Sequence, residues 1–219
     1  RSRGTIGALQ DKMVGRMVQP SAIIIGSGGL GKSYTVTSAL KSLGLIDITD
    51  AASFEEGSIP SCNRFKIIKG YSTAKALYRT LYENKDSIVI FDDCDSIMKF
   101  PDAANILKGA LDTTKDRIIC WNAETRDSDD LPKSFTFTAG CIFISHLDRE
   151  KIPQAMQTRS LLIDVTMTKT EIIQRMGAIV ESSDFEPSID YNIKLAALAL
   201  VDEFKDHTKE LSLRTLIQV

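Results

Sequence analysis

Short apolar runs alternate with stretches of helical periodicity along most of the chain, the pattern of a parallel sheet flanked by helices. The first run, Ala22-Ile23-Ile24-Ile25, passes through a glycine-rich turn into a helix reaching about Leu43. Arg64-Phe65-Lys66-Ile67-Ile68 is the second and precedes a helix over roughly Thr73–Glu83. The third, Ser87-Ile88-Val89-Ile90-Phe91, ends in acidic residues and leads to a helix from about Pro101 to Leu111. Cys141-Ile142-Phe143-Ile144-Ser145 and Leu161-Leu162-Ile163-Asp164-Val165 complete the set. Two more runs, Arg117–Trp121 and Ser134–Thr138, flank the acidic loop Asp127–Asp130 and predict an inserted hairpin. After Thr168 the pattern turns to helices alone, and Thr168-Lys169-Thr170-Glu171 fits a capping box. A helix over about Ile189–Phe204 is apolar nearly all round, so it is expected to be largely buried. The expected boundary between an α/β domain (1–167) and a small helical domain (168–219) follows from that change of pattern.

Composition adds bounds. The chain has 219 residues, 43% of them hydrophobic, enough for a real core. Lysine plus arginine number 27 against 29 aspartates and glutamates, a net charge of −2, which argues against a polybasic binder while leaving room for a local basic stripe. No apolar run approaches the ~18 residues of a membrane span, and Arg1-Ser2-Arg3-Gly4 opens no signal-peptide stretch. A cytoplasmic protein with no membrane association is expected. Cys62, Cys94, Cys120 and Cys141 are too far apart for a C-x-x-C pair. The last three sit in apolar runs or at their edges, where a buried, reduced thiol is expected.

Gly26-Ser27-Gly28-Gly29-Leu30-Gly31-Lys32-Ser33 matches G-x-x-x-x-G-K-[ST] at every fixed position. Glycines permit the backbone angles that turn successive N–H groups around phosphate oxygens. Lys32 would neutralise the β- and γ-phosphates, Ser33 would supply a hydroxyl to magnesium, and Tyr34 completes the expected contacts. The helix that follows points its positive end at the anion. A strand before the loop and a helix after it are what this mechanism requires, so a nucleotide site is predicted. Ile88–Phe91 ends in Asp92-Asp93-Cys94-Asp95. Asp92 is placed to hold magnesium through water, and Asp93 to orient an attacking water.

With these residues together, the chain resembles an AAA+ ATPase over nearly its whole length. The resemblance implies an α/β fold with a three-layer αβα P-loop NTPase core on a parallel sheet, followed by a small helical lid. It also implies ATP and Mg2+ as ligands. The family places a glutamate directly after the metal aspartate, where this chain has Asp93. A carboxylate one methylene shorter predicts slow hydrolysis or a water relay. The fourth strand ends in Ser145-His146, where the family carries a polar residue that senses the γ-phosphate; His146 takes that slot, with Ser145 competing. Ile152–Ser160 resembles the arginine-finger segment, most closely the Ser-Arg-Cys form of clamp-loader subunits, so Arg159 would reach the γ-phosphate held by a neighbouring subunit. In Leu211–Ile217, Arg214 in the first turn of a helix resembles the second sensor.

Lys69-Gly70-Tyr71-Ser72 stands where ring-forming relatives place pore-facing loops, although a tyrosine capping the core fits as well. Trp121 reads as packing for the hairpin and His207 as a solvated helix end. The reading is an ATPase whose catalytic set is Lys32, Asp93, His146, Arg159 and Arg214, working in a homo-oligomeric, hexamer-like ring or spiral. Three kinds of work stay open. The finger segment favours a DNA-associated replication, loading or packaging ATPase. Tyr71 hints at a protein-threading motor, and Asp93 at a nucleotide-gated scaffold with little hydrolysis. The general style also resembles ATPases of large tailed phages.

Overall fold

A computed structural model describes residues 21–50, 63–70, 73–113, 117–121 and 131–218. Tyr71 and Ser72, the acidic loop Asp127–Asp130, Cys62 and the Arg1–Gly4 start lie outside the described residues. The chain is α/β and falls into two compact units. One runs through Ile25 and resumes over Ser33–Asp164; the other comprises Gly26–Lys32 and Val165–Val219.

The first unit is built on strands β1 (Ser21–Ile25), β2 (Ile46–Asp47), β3 (Arg64–Lys69) and β4 (Ile88–Asp92). A hairpin of β5 (Ile118–Cys120) and β6 (Ser134–Thr136) comes next, then β7 (Cys141–Ser145) and β8 (Leu161–Asp164). Six strands pair in parallel in the order β2-β3-β4-β7-β1-β8, a sheet compatible with a Rossmann-like or P-loop core. Every residue of β1, β4 and β7 is buried. That is why these three read as unbroken apolar runs: helices follow parallel strands as crossovers and cover both faces. The flanking strands β3 and β8 are only partly covered, and their sequences mix in Arg64, Lys66 and Asp164.

Helices α1 (Lys32–Ser42), α2 (Ala74–Glu83), α3 (Ser96–Lys99), α4 (Pro101–Ala110) and α5 (Gln154–Gln157) link the strands. Thr73 caps α2 by accepting from the Ala76 N–H, and Pro101 starts α4, where its missing N–H is no loss. One core joins alternate residues of the central strands (Ile23, Ile25, Val89, Phe91, Cys141, Phe143) to Leu77 and Leu81 of α2 and Leu107 of α4. The hairpin closes this core with Ile119 and Phe135, and Trp121 packs beside it, 5.8 Å from Tyr78 between ring centroids. Three of the labelled elements escaped the sequence reading, β2, α3 and α5. Each spans four residues or fewer, too short to display a period.

The second unit contains α6 (Lys169–Val180), α7 (Tyr191–Phe204) and α8 (Thr215–Gln218). Thr168 and Glu171 form the full capping box at the head of α6. The expectation for α7 is overturned: Val201 is its one buried residue, while Tyr191, Ile193, Leu195, Leu200 and Phe204 are exposed. A small unit has too few partners to surround a helix. Ala197, Leu198 and Val201 form the stripe that meets Ile172, Met176 and Val180. Cys120 also departs from expectation. Cys94 and Cys141 are buried, but Cys120 lies on the outer face of β5 and is exposed. No helix among the described residues is long and apolar enough to cross a membrane.

The Phe91 and Phe143 rings, opposite one another in the β4–β7 register, stack at 5.1 Å and 13°. Phe143→Ala should therefore destabilise the first unit by about 3–5 kcal/mol, and Phe143→Leu by clearly less, read from the shift of the urea midpoint. Equal losses for the two variants would show that ring packing is not what holds these strands.

Candidate functional site

Parallel pairing brings the C-terminal ends of β4 and β7 to one edge, where α/β sheets present their ligand-binding groups. Asp92, the last residue of β4, is 5% exposed. Its Oδ1 accepts from the Ser33 hydroxyl at 2.8 Å, and Lys69 Nζ lies 3.7 Å from its Oδ2. Ser33 stands in the first turn of α1 and is followed by Tyr34, a residue 73% exposed. Ser33, Tyr34, Thr37, Lys69 and Asp92 line one cavity of about 250 Å³. Next to them, the Cys94 thiol donates to the Ile68 carbonyl at 3.3 Å. Burial first, and then Asp92, Asp93 and Asp95, push its pKa up to about 11. It stays protonated at neutral pH and is no nucleophile.

Asp93 points elsewhere. Its φ of 56° is left-handed, a conformation that aspartate tolerates better than most residues. The Asp93 N–H still donates to the Ile144 carbonyl at 3.1 Å, so the chain turns while tethered to β7. The carboxylate then meets His146, with Nε2 to Oδ1 at 2.7 Å. Ser145, the competing candidate for the polar slot, is fully buried, and its hydroxyl accepts from the Leu147 N–H at 3.0 Å. That leaves His146 as the side chain of this pair that reaches the edge.

In the second unit, Gly26, Gly29 and Gly31 have φ values of 145°, 69° and 76°, the conformations that glycine alone adopts without strain. Lys32 folds back so that Nζ donates to the Gly26 and Ser27 carbonyls at 2.6 and 2.8 Å, and the residue is 7% exposed. The loop also packs. Leu30 joins the helical core, and the Leu213 N–H donates to the Gly29 carbonyl at 3.0 Å. A Cβ at Gly29 would meet Ser212 Cβ at 2.7 Å, with Arg214 Cδ at 3.7 Å. Arg214 thus stands beside the loop, but it precedes α8 and is not in its first turn, a correction to the expected placement. Just before the helix, the Ser212 N–H donates to the Thr215 hydroxyl at 3.3 Å.

Arg159 is half-buried, and its guanidinium donates to the Ala155 carbonyl one turn back at 3.0 Å. Its own carbonyl accepts from the buried Ser21 hydroxyl. The structure therefore joins Ser33 to Asp92, His146 to Asp93, and Arg214 to the glycine loop. Lys69 is the residue that sequence reasoning left out of the acidic site. The signal was present: Lys69 ends its strand directly opposite Asp92 in the β3–β4 register.

The hydroxyl of Ser33 and carboxylate of Asp92 are hard oxygen donors, which suits magnesium, a cation that keeps waters and takes one or two protein ligands beside phosphate oxygens. Among the described residues no group of three or more His, Cys, Asp or Glu is positioned to hold a metal ion, so a cation here needs such outside oxygens.

No family model matches the chain. It is similar to an uncharacterised 36.7 kDa protein of Enterobacteria phage T4, from the nrdC-mobD intergenic region. The two are 27% identical over 179 residues, which cover 75% of this chain and 50% of the phage protein. The chain thus spans about half the length of the curated relative it matches.

Proposed function

We propose that the chain is an ATP-binding and ATP-hydrolysing AAA+ module, with an αβα P-loop core and a helical lid, working in a ring or spiral of identical subunits in the cytoplasm. The observation that carries this reading is the Ser33–Asp92 hydrogen bond. It joins the last residue of the glycine-rich motif to the acid ending β4, a pairing that phosphate-loop chemistry needs and a chance motif match does not require.

The loop from Gly26 to Ser33 offers its N–H groups to the β- and γ-phosphates. The Lys32 ammonium exchanges loop carbonyls for phosphate oxygens. Ser33 and Asp92 would hold magnesium, which when bound neutralises charge on the β- and γ-phosphate oxygens. Asp93 orients the attacking water. Arg159 serves the site of a neighbouring subunit, and Arg214 approaches the phosphates from the lid side. A DNA-associated role is favoured by the resemblance of the Arg159 segment to clamp-loader subunits. The T4 relative supports a phage setting.

Lys32→Ala should abolish most ATP binding in calorimetry, whereas Asp92→Ala should keep part of the affinity and lose magnesium-dependent turnover. Unchanged affinity in the Lys32 variant would sink the nucleotide assignment. Arg159→Ala should retain ATP binding and lose roughly 10³-fold or more in turnover. Mixing Lys32→Ala and Arg159→Ala chains should restore part of the activity through interfaces that pair one intact loop with one intact finger; a fully active monomer would exclude a finger in trans. For the substrate, single-stranded or duplex DNA should raise ATP turnover and bind with steep salt dependence. If neither does, the protein-threading or scaffold reading replaces it.

A further inference from the structure

We infer that Ser21 and Ser160 are positioning residues for Arg159: their hydroxyls anchor its backbone to the start of β1 and leave its guanidinium to change partners. The inference rests on the reading of Arg159 as a finger for a neighbouring subunit and adds how that finger is aimed.

Ser21 opens β1, and Ser160 stands directly before β8. Backbone pairing of the two strands starts one position later, at Ala22 and Leu161, so the serines meet where the ladder has not yet begun. Side chains take over there. The Ser21 hydroxyl donates to the Arg159 carbonyl at 3.0 Å, and its oxygen lies 2.8 Å from the Ser160 hydroxyl. A hydroxyl carries one proton, so with that of Ser21 committed to Arg159, Ser160 is the donor of the second bond. On its other side, the Arg159 N–H donates to the Met156 carbonyl at 3.1 Å. Both backbone groups of Arg159 are therefore held.

Fold stability does not ask for hydroxyls at this point. Ser21 is 0% exposed and Ser160 4%, and an apolar pair of the same shape is nearly neutral in such a place. What the hydroxyls add is direction, since they fix the Arg159 carbonyl against a strand of the sheet. The side chain is held differently. Its guanidinium rests on the Ala155 carbonyl at 3.0 Å in a half-buried position, and a phosphate oxygen is a stronger acceptor than that carbonyl. A fixed base with an exchangeable tip suits a group that acts across an interface. Its placement agrees. Ser21 starts β1 and Ile25 ends it roughly 13 Å away, so the anchor lies at the edge of the parallel sheet opposite Asp92. A group rooted there is remote from the acid of its own chain.

The test compares Ser21→Ala, Arg159→Ala and the double variant on the intact chain, with kcat, KM, ATP affinity and melting temperature measured for each. Ser21→Ala should lose roughly ten- to a hundredfold in kcat, with ATP affinity nearly unchanged. In the Arg159→Ala background the same substitution should lower kcat by less than about twofold, because no finger is left to aim. Ser160→Ala should show this pattern with a smaller loss, since it acts on Arg159 through Ser21. Mixing keeps the test decisive where a variant melts lower. Ser21→Ala chains should regain turnover with Lys32→Ala chains, which bring intact fingers, and should gain nothing from Arg159→Ala chains. Wild-type kcat in Ser21→Ala, losses that multiply in the double variant, or failure of Lys32→Ala chains to restore turnover to Ser21→Ala would overturn the anchor and leave the ATPase reading intact. If Lys32→Ala and Arg159→Ala chains do not complement each other, the finger in trans falls and the anchor with it. A wild-type chain without magnesium-dependent turnover would overturn the anchor and the hydrolytic reading together.

Discussion

Burial of β1, β4 and β7 on both faces governs where this protein can carry polar chemistry. A strand covered above and below has to be apolar along its length, because an unpaired polar side chain inside it loses its water. Charge is therefore displaced to the ends of these strands, and parallel pairing gathers the C-terminal ends at one edge. Asp92 ends β4, and Ser145 ends β7 with His146 just beyond it. Even there Asp92 is nearly buried, so it depends on the Ser33 hydroxyl and the Lys69 ammonium for the partners that solvent does not provide.

The glycine loop answers to a second constraint. Left-handed backbone angles are one reason for glycine here, and close packing in the helical unit is another. Gly29 has no room for a Cβ against Ser212, and Leu30 belongs to the same small core as Met176 and Val201. A substitution in this loop would thus disturb packing as well as backbone conformation.

The strands were legible because their cause is simple. Full burial writes an unbroken apolar run, and β1, β4 and β7 fall on the predicted runs within a residue. The hairpin and the capping box were legible for equally local reasons. Exposure of α7 was not, since an apolar sequence states what a helix tolerates and not whether enough protein surrounds it. Motif spacing singled out Ser33 and Asp92, which the structure joins by a hydrogen bond. The Asp93–His146 contact joins residues more than fifty positions apart and depends on strand order, which periodicity does not encode.

The adjacent acids show how one dihedral can divide labour. Had β4 continued as regular strand, side-chain alternation would send Asp92 and Asp93 to opposite faces of the sheet. The left-handed turn at Asp93 ends the strand instead and brings its carboxylate to the end of β7, still at the same edge. Asp92 keeps its hydroxyl and ammonium partners, Asp93 takes the imidazole, and two carboxylates on successive residues are each given a separate donor. A site that needs one acid beside a cation and another beside a water requires that separation, and the turn at Asp93 provides it within one residue.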